Sequence, residues 1–537
     1  MKNLLLTLGH NSSAMLIEDD QVIWGYETER LSGQKSDSRF PKIVLDAKNF
    51  YKPDMVYATH WAPTCRLRDM SAKHWDPSSF DGVPMRSLRL DRSHHDTHLA
   101  GAMSYAGPFF TTRTDVYGLV IDGFGTLGEH LSVYEFKHGQ PILRRRVHGY
   151  ETSLGLWYQY ATAFMGMKMH EDEYKLLGYE VHCPMDIAPL VEGHADSTAI
   201  QWLDTMSKSV YRSRYDPIYN LEALAAIKEK HFQHLTKVCE KFGVLDPASH
   251  EGRAVLSRYV QRVLETVVTL IVDDYPCMQH LLCSGGVFFN VKLNKRLIGR
   301  VPGQICVYPL AGDQGNAIGL YAMDHPDFIF PADLNWGVRS LKNVGRVDGL
   351  HWLNEADAKD YVISMLKLRG YVNLVRGHME FGPRALCNTS TLAIPTEANV
   401  AKINAANNRN TVMPMAPVMT AEMYHMLFNA TGKVWKSEEH MIVAMQYKNT
   451  PSSVLRGVAH KYDVDGGQPY FTGRPQVIDG RDPFMEDVLN HFGHPLINTS
   501  FNFHGQPIAY DSEQVIKNHM LQRERDESFE TIVIPNS

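Results

Sequence analysis

VYGLVIDGFG, residues 116–125, reads as a buried strand that ends by delivering a carboxylate, Asp122, into a glycine turn. The same phrase recurs at PLAGDQGNAIG (309–319), where Asp313 stands between glycines ahead of a helical pattern, and at HLLCSGGVFFN (280–290), where Gly285 and Gly286 follow the apolar pair Leu281 and Leu282. Upstream, LLLTLGHNSSAMLIEDDQVIWGYETER (4–30) reads strand, polar turn, strand, Asp-Asp turn, strand, and HLSVYEF (130–136) is a further strand. Helical pattern dominates residues 153–276, with 253–274 the clearest amphipathic run. Strands that close in glycine turns and run on into helices predict an α/β core. At 335–348 the pattern breaks into a polar connector, and a second α/β pattern begins near Val362 and closes with SEQVIKNHMLQ and ETIVI. A chain of 537 residues exceeds the size at which one core keeps growing. Two domains are therefore expected, residues 1–345 and 346–537.

SHHDTHLAGA (93–102) supplies the first chemistry, because His94 and His98 lie four apart in a predicted amphipathic helix and so share one face. With 26 histidines in the chain such a spacing decides little alone. Asp122 and Asp313, each at the end of a predicted strand, complete a set of two imidazoles and two carboxylates. That set suits a borderline divalent metal such as Fe(II), Mn(II) or Zn(II), and no cysteine lies near enough to make it a thiolate site. The three glycine turns offer backbone amides at strand ends, and three together are better explained by a nucleotide phosphate chain than by three unrelated bends. None matches the Walker lysine motif or the dinucleotide fingerprint, which disfavours a P-loop NTPase and a Rossmann dehydrogenase.

Composition is ordinary for a globular protein, 44% hydrophobic and 21% charged. The seven dispersed cysteines form no CxxC pair and fit reduced thiols in a cytoplasm. No export signal or apolar run of membrane-spanning length is read. A net charge of −6 gives no bulk drive toward nucleic acid. The clusters Arg86, Arg89, Arg92 and Arg144, Arg145, Arg146 leave open a polyanionic acceptor beside the simpler reading as solvated faces.

With these elements in this order, residues 1–345 resemble the catalytic domain of tRNA threonylcarbamoyl transferases, within the actin-like ATPase superfamily. EFGPRAL (380–386), PMAPV (414–418) and NTSFNFHGQPI (498–508) resemble hallmarks of the O-carbamoyltransferases that include the nodulation, cephem and tobramycin enzymes. The C-terminal domain of those enzymes is a smaller α/β unit similar to threonylcarbamoyl-adenylate synthase. The resemblance implies that His94, His98, Asp122 and Asp313 hold a metal, Fe(II) being usual and magnesium a further candidate. It places Gly123, Gly125, Gly285, Gly286, Asn290, Gly312 and Asn316 on nucleotide-contacting loops. His10, in GHNSSAML (9–16), and Lys35, in TERLSGQKSD (28–37), fall at the transfer centre, with His10 a candidate acceptor of the alcohol proton. Arg384 and Arg409 fall on carbamoyl phosphate, with Asn498, Ser500 and Asn502 lining the same pocket. Glu173 and Lys175 match an EYK element that is structural or faces substrate.

The chain departs from that pattern where Cys387 replaces a glycine, Thr389 and Met413 replace arginines, Asn407 replaces a lysine, and Pro469 stands in VDGGQP (464–469) for an arginine. Lys461, Arg474 and His504 are candidate substitutes. The resulting expectation is an ATP-dependent O-carbamoyltransferase that moves a carbamoyl group from carbamoyl phosphate through carbamoyl-adenylate to a hydroxyl. The acceptor is a natural-product sugar or macrolactam, or a hydroxymethylated pyrimidine as nucleotide or within DNA. A homo-oligomer is compatible with it. Two alternatives stay open: tRNA-directed threonylcarbamoyl transfer, and a non-catalytic nucleotide-binding regulator on the same fold, for which the missing cations argue.

Overall fold

The computed structural model describes the chain except residues 62–79, 81, 209–220, 332, 463–469, 479 and 536–537. VDGGQP with Pro469, and Cys65, lie outside the described residues.

The opening pattern forms strands Lys2–Thr7, Ser13–Glu18 and Gln21–Glu27, turning at Asp19 and Asp20, both of which have positive φ. They pair antiparallel, and strands Met55–Trp61 and Met85–Leu88 then add in parallel to the first. Val116–Ile121, Glu129–Lys137 and Gln140–His148 form a second antiparallel run, to which His280–Ser284 and Ile305–Val307 add in parallel. The two five-stranded sheets thus repeat one topology, in strand order and in sense.

Helices His94–Ala106 and Asn316–Asp324 form the layer between these sheets. The first packs on Val116–Ile121 and His280–Ser284, the second on Lys2–Thr7 and Met55–Trp61, and the two pack on each other. Contact is close because Gly319 has no side chain: a Cβ there would sit 2.7 Å from the Thr97 carbonyl carbon and 3.0 Å from the Gly101 nitrogen. His94–Ala106 is buried on nearly every side, so the expected amphipathic helix is instead a core helix with its imidazole face turned to the site. Ser93 starts it with a capping box closed by Asp96. Long helices Ala188–Lys208, Leu221–Phe242 and His250–Asp273 cover the outer face of the second sheet, joining its side chains in one core.

From residue 350 onward a seven-stranded mixed sheet takes over, with Tyr371–Val375, Thr389–Ala393 and Leu496–Ser500 at its centre. Its loops face the carboxyl ends of the N-terminal strands.

Candidate active site

Asp122 follows strand Val116–Ile121 and Asp313 opens the turn before helix Asn316–Asp324. Both reach the imidazoles of His94 and His98. His94 Nε2 lies 3.0 Å from Asp122 Oδ2 and 3.2 Å from Asp313 Oδ1, while His98 Nε2 lies 3.4 and 3.6 Å from the same atoms. The two Nε2 atoms are 3.2 Å apart, and one donor atom from each of the four residues falls within a 4.8 Å group. Burial opposes a charge on the His94 ring, yet Asp313 and Asp122 raise its affinity for a proton well above the ordinary imidazole value. The same field favours any cation at that point. Two imidazole nitrogens and two carboxylate oxygens converging this way fit a borderline divalent metal better than magnesium, which prefers oxygen donors and water.

The glycine turns surround this cluster. Gly286 N–H donates to Asp122 Oδ1 at 3.2 Å, and Ser153 Oγ holds the Gly123 carbonyl. Gly123, Gly125, Gly286, Asn290 and Gly312 face one large cavity. Gly285 does not. Its φ of +98° bends the chain off its strand, where a Cβ would lie 2.7 Å from the Ile121 carbonyl carbon. Asn316 is likewise off the cavity: its side-chain amide lies 3.2 Å from His98 Nε2 and donates to Asp313 Oδ1 at 3.4 Å, so it supports the His/Asp cluster rather than facing a nucleotide.

The cavity, about 1510 Å³, runs from His94, Asp122 and Asp313 past His10, Lys35 and Glu173 to Arg384, Arg409 and Arg474 in the C-terminal half. His10 Nδ1 stands 3.7 Å from Asp313 Oδ2, and its ring faces that of His170, 5.3 Å away between centroids. His170 has φ +65°, and Glu173 Oε1 accepts its backbone N–H at 2.6 Å. Glu173 thus faces the cavity, whereas Lys175 is buried against Asp172 at 2.8 Å. Burial lowers the Lys35 ammonium, with Glu29 and Glu171 opposing it.

No carboxylate among the described residues pairs with Arg384, Arg409 or Arg474. Burial lowers all three guanidinium groups, Arg474 to about 9 with Arg384 beside it adding to the effect. Three half-buried guanidinium groups facing one cavity, with no carboxylate partner among the described residues, suit a compact dianion. Arg409 is aimed by its neighbours, donating to Thr499 Oγ1 (2.8 Å), Ser500 Oγ (3.1 Å) and Asn502 Oδ1 (2.8 Å). Asn498, which also lines the cavity, donates to the Ala385 carbonyl at 2.9 Å and holds the strand to the Arg384 loop.

The expected loss of a cation stands at Met413, which lines the cavity, and is otherwise corrected among the described residues. Arg474, at the end of strand Tyr470–Gly473, and His504 both line the cavity, while Lys461, exposed on strand His460–Tyr462, does not. Thr389 and Asn407 are buried off the cavity, accepting from Arg339 and Gln522, so no phosphate ligand is lost there. Cys387 adopts φ +76°, which explains a glycine at that place. Apart from Arg89, which is exposed and meets no carboxylate among the described residues, the arginines of the basic clusters are paired within the chain. Arg86 and Arg92 meet Asp324, Arg144 meets Glu135, Arg145 meets Asp274, and Arg146 meets Asp96 and Glu129.

Residues 84–322 match the family described as the carbamoyltransferase N-terminus and residues 364–534 the carbamoyltransferase C-terminus, together about three quarters of the chain. The chain belongs to the carbamoyltransferase family of enzymes. It is 26% identical to an uncharacterized protein of Methanocaldococcus jannaschii over 95% of each chain. It is also 26% identical to nodulation protein NolNO of Sinorhizobium fredii, over 94% of this chain and 75% of that one. The 3'-hydroxymethylcephem-O-carbamoyltransferase of Amycolatopsis lactamdurans matches at 29% identity over 49% of this chain and 50% of its own. No helix among the described residues is long and apolar enough to cross a membrane.

Proposed function

We propose that this protein is an ATP-dependent O-carbamoyltransferase that forms carbamoyl-adenylate from carbamoyl phosphate and ATP and passes the carbamoyl group to an alcohol. One observation carries the reading: a single cavity joins the arginine cluster of the C-terminal half to the His/Asp cluster of the N-terminal half. Arg384, Arg409 and Arg474 bind the carbamoyl phosphate dianion, with Ser500 and Asn502 holding Arg409 in place. Water cleaves carbamoyl phosphate to carbamate and phosphate, and a carbamate oxygen then attacks the α-phosphorus of ATP, breaking its bond to the bridging oxygen so that pyrophosphate leaves with the electron pair. The turns at Gly123, Gly125, Gly286 and Gly312 present backbone to the nucleotide phosphates.

In the second step the acceptor oxygen attacks the carbamoyl carbon, the bond from that carbon to the adenylate oxygen breaks, and AMP departs with the electron pair. His10 takes the hydroxyl proton, a contribution of about 10²–10⁴-fold. His94, His98, Asp122 and Asp313 would hold a divalent metal, with Fe(II) first among candidates, that supplies positive charge beside the adenylate phosphate when bound. The repeated five-stranded topology supports the actin-like reading of the N-terminal half.

An alcohol such as the primary hydroxyl that the cephem relative's name prints is the acceptor class this chemistry takes. Support for a nucleic-acid acceptor from Arg144, Arg145 and Arg146 falls away, since each faces an acid of the same chain. The test is mass spectrometry of a panel of sugar, macrolactam and hydroxymethylpyrimidine alcohols incubated with protein, ATP and carbamoyl phosphate. A mass gain of one carbamoyl group that needs both co-substrates is expected; threonylcarbamoylation of tRNA without carbamoyl phosphate would overturn the reading.

A further inference from the structure

The loop that carries Arg384 is tied down by a buried ion pair from the opposite end of the chain. Arg30 Nε and Nη2 donate to Glu27 Oε2 at 3.1 and 2.9 Å. Arg30 Nη2 also donates to the Gly382 carbonyl at 2.7 Å, and the Gly382 N–H donates to Glu27 Oε2 at 3.2 Å. One ion pair of the N-terminal half thus satisfies both backbone groups of one glycine, two residues before Arg384. That glycine has φ +99°, and it brings the loop against Leu310, three residues before Asp313.

Inside the loop, Glu380 Oε1 accepts the N–H groups of Leu386, Asn388 and Thr389 at 2.8, 2.9 and 3.0 Å. The N-terminal segment is held in turn. Gln514 donates to the Arg30 carbonyl at 3.0 Å, and Glu29 accepts the N–H of Ser36, beside Lys35, at 2.8 Å. Glu27 and Arg30 are only 5% and 3% exposed. A fully buried ion pair is a poor device for stability, since an apolar pair of like volume often does as well, so its use here calls for a geometric reason.

We propose that Glu27 and Arg30 are positioning residues for the carbamoyl phosphate subsite, fixing the Arg384 loop against the N-terminal half so that Arg384 and Lys35 keep their spacing across the cavity. This rests on the proposed role of Arg384 in binding carbamoyl phosphate. A misplacement of about 1 Å in a binding group costs up to about 10²-fold.

The test uses the whole metal-loaded chain and reads the initial rate of pyrophosphate formation against carbamoyl phosphate and ATP concentration in parent, E27L/R30M and R384M. The double variant removes both charges of the pair together but leaves the Gly382 N–H and carbonyl without these partners and Glu29, 3.5 Å from Arg30 Nη1, without its cation, so a lower melting temperature is expected and the assay is made on protein shown to be folded. Its KM for carbamoyl phosphate should rise about tenfold or more, and its KM for ATP by less than about twofold. A merely structural pair would move both constants or neither. If R384M raises the KM for carbamoyl phosphate and folded E27L/R30M does not, the positioning role is overturned while the subsite stands. If R384M leaves that KM unchanged, the subsite reading itself fails. Should the double variant not fold, E27Q, which keeps the volume and one acceptor oxygen, is measured in its place, with about threefold in the same constant expected and no change overturning the proposal.

Discussion

Replacing Gly319 by alanine tests whether the metal cluster depends on how closely two helices approach. The added Cβ would overlap the Thr97 carbonyl oxygen and lie 2.7 Å from its carbon, where ordinary contact begins at 3.4 Å, so the helices must part by more than about 0.7 Å. Alanine gains about 1 kcal/mol over glycine in helix propensity, whereas overpacking a dense core costs about 1–3 kcal/mol. The contact is with backbone, which cannot rotate away, and the Cβ would overlap the Thr97 oxygen, so the upper end of that cost applies and a net loss of about 2 kcal/mol is expected. Thr97 lies between His94 and His98, and helix Asn316–Asp324 follows directly on Asp313, so the parting separates imidazoles from carboxylate. Metal affinity should fall about 10–100-fold, as when a ligand's supporting contact is lost. Thermal unfolding and metal content after dialysis against a chelator read the two effects. An alanine variant as stable and as metal-retentive as the parent would refute the argument that this glycine sets the geometry of the cluster.

Three further outcomes follow from other parts of the molecule. His98→Ala removes a fully buried ligand and should cut metal bound per chain about tenfold or more, read by elemental analysis; full occupancy would remove His98 from the ligand set. Glu380→Ala leaves three amides without their acceptor and should cost about 3 kcal/mol or more in urea unfolding, with Glu380→Gln, which keeps an oxygen, costing less. His231 sits in a nest of Trp157, Tyr160 and Trp202, where burial, then His234, lowers its imidazole to about 4. Its folded value lies below the unfolded 6.5, so the unfolded chain binds the extra proton and stability falls as pH drops through that window. The parent should lose about 1.4 kcal/mol more than His231→Leu between pH 7.5 and 5.5, and equal losses would contradict the shift.

Local pattern made the strand-to-glycine units legible because each needs only neighbouring residues: an apolar run, an acid, a glycine. The pair His94 and His98 was legible for the same reason, since one helical turn sets their spacing. Its partners Asp122 and Asp313 could be named because each is an acid in a glycine turn after an apolar run; Asp122 directly follows its strand, whereas strand Ile305–Val307 closes six residues before Asp313, and the structure brings all four together. The repeat of the first sheet in the second was not visible, because topology repeats here without any repeated motif. Arg474 was legible as a candidate substitute from its place shortly after VDGGQP, and strand Tyr470–Gly473 delivers its guanidinium to the cavity. Gly285 and Asn316 carry motif signals but act on backbone and on the His/Asp cluster. The tie from Glu27 and Arg30 to Gly382 spans more than 350 residues, and no periodicity reports a contact at that separation.

The central claim is that the arginine cluster and the His/Asp cluster serve one adenylating reaction within one cavity. It is tested most directly by mixing metal-loaded protein with ATP and carbamoyl phosphate in the absence of any alcohol and following pyrophosphate in a single turnover. The account predicts a burst of pyrophosphate approaching one equivalent per chain that requires carbamoyl phosphate and is abolished in an R384M/R409M variant. Pyrophosphate release independent of carbamoyl phosphate, or a burst undiminished in that variant, would contradict it.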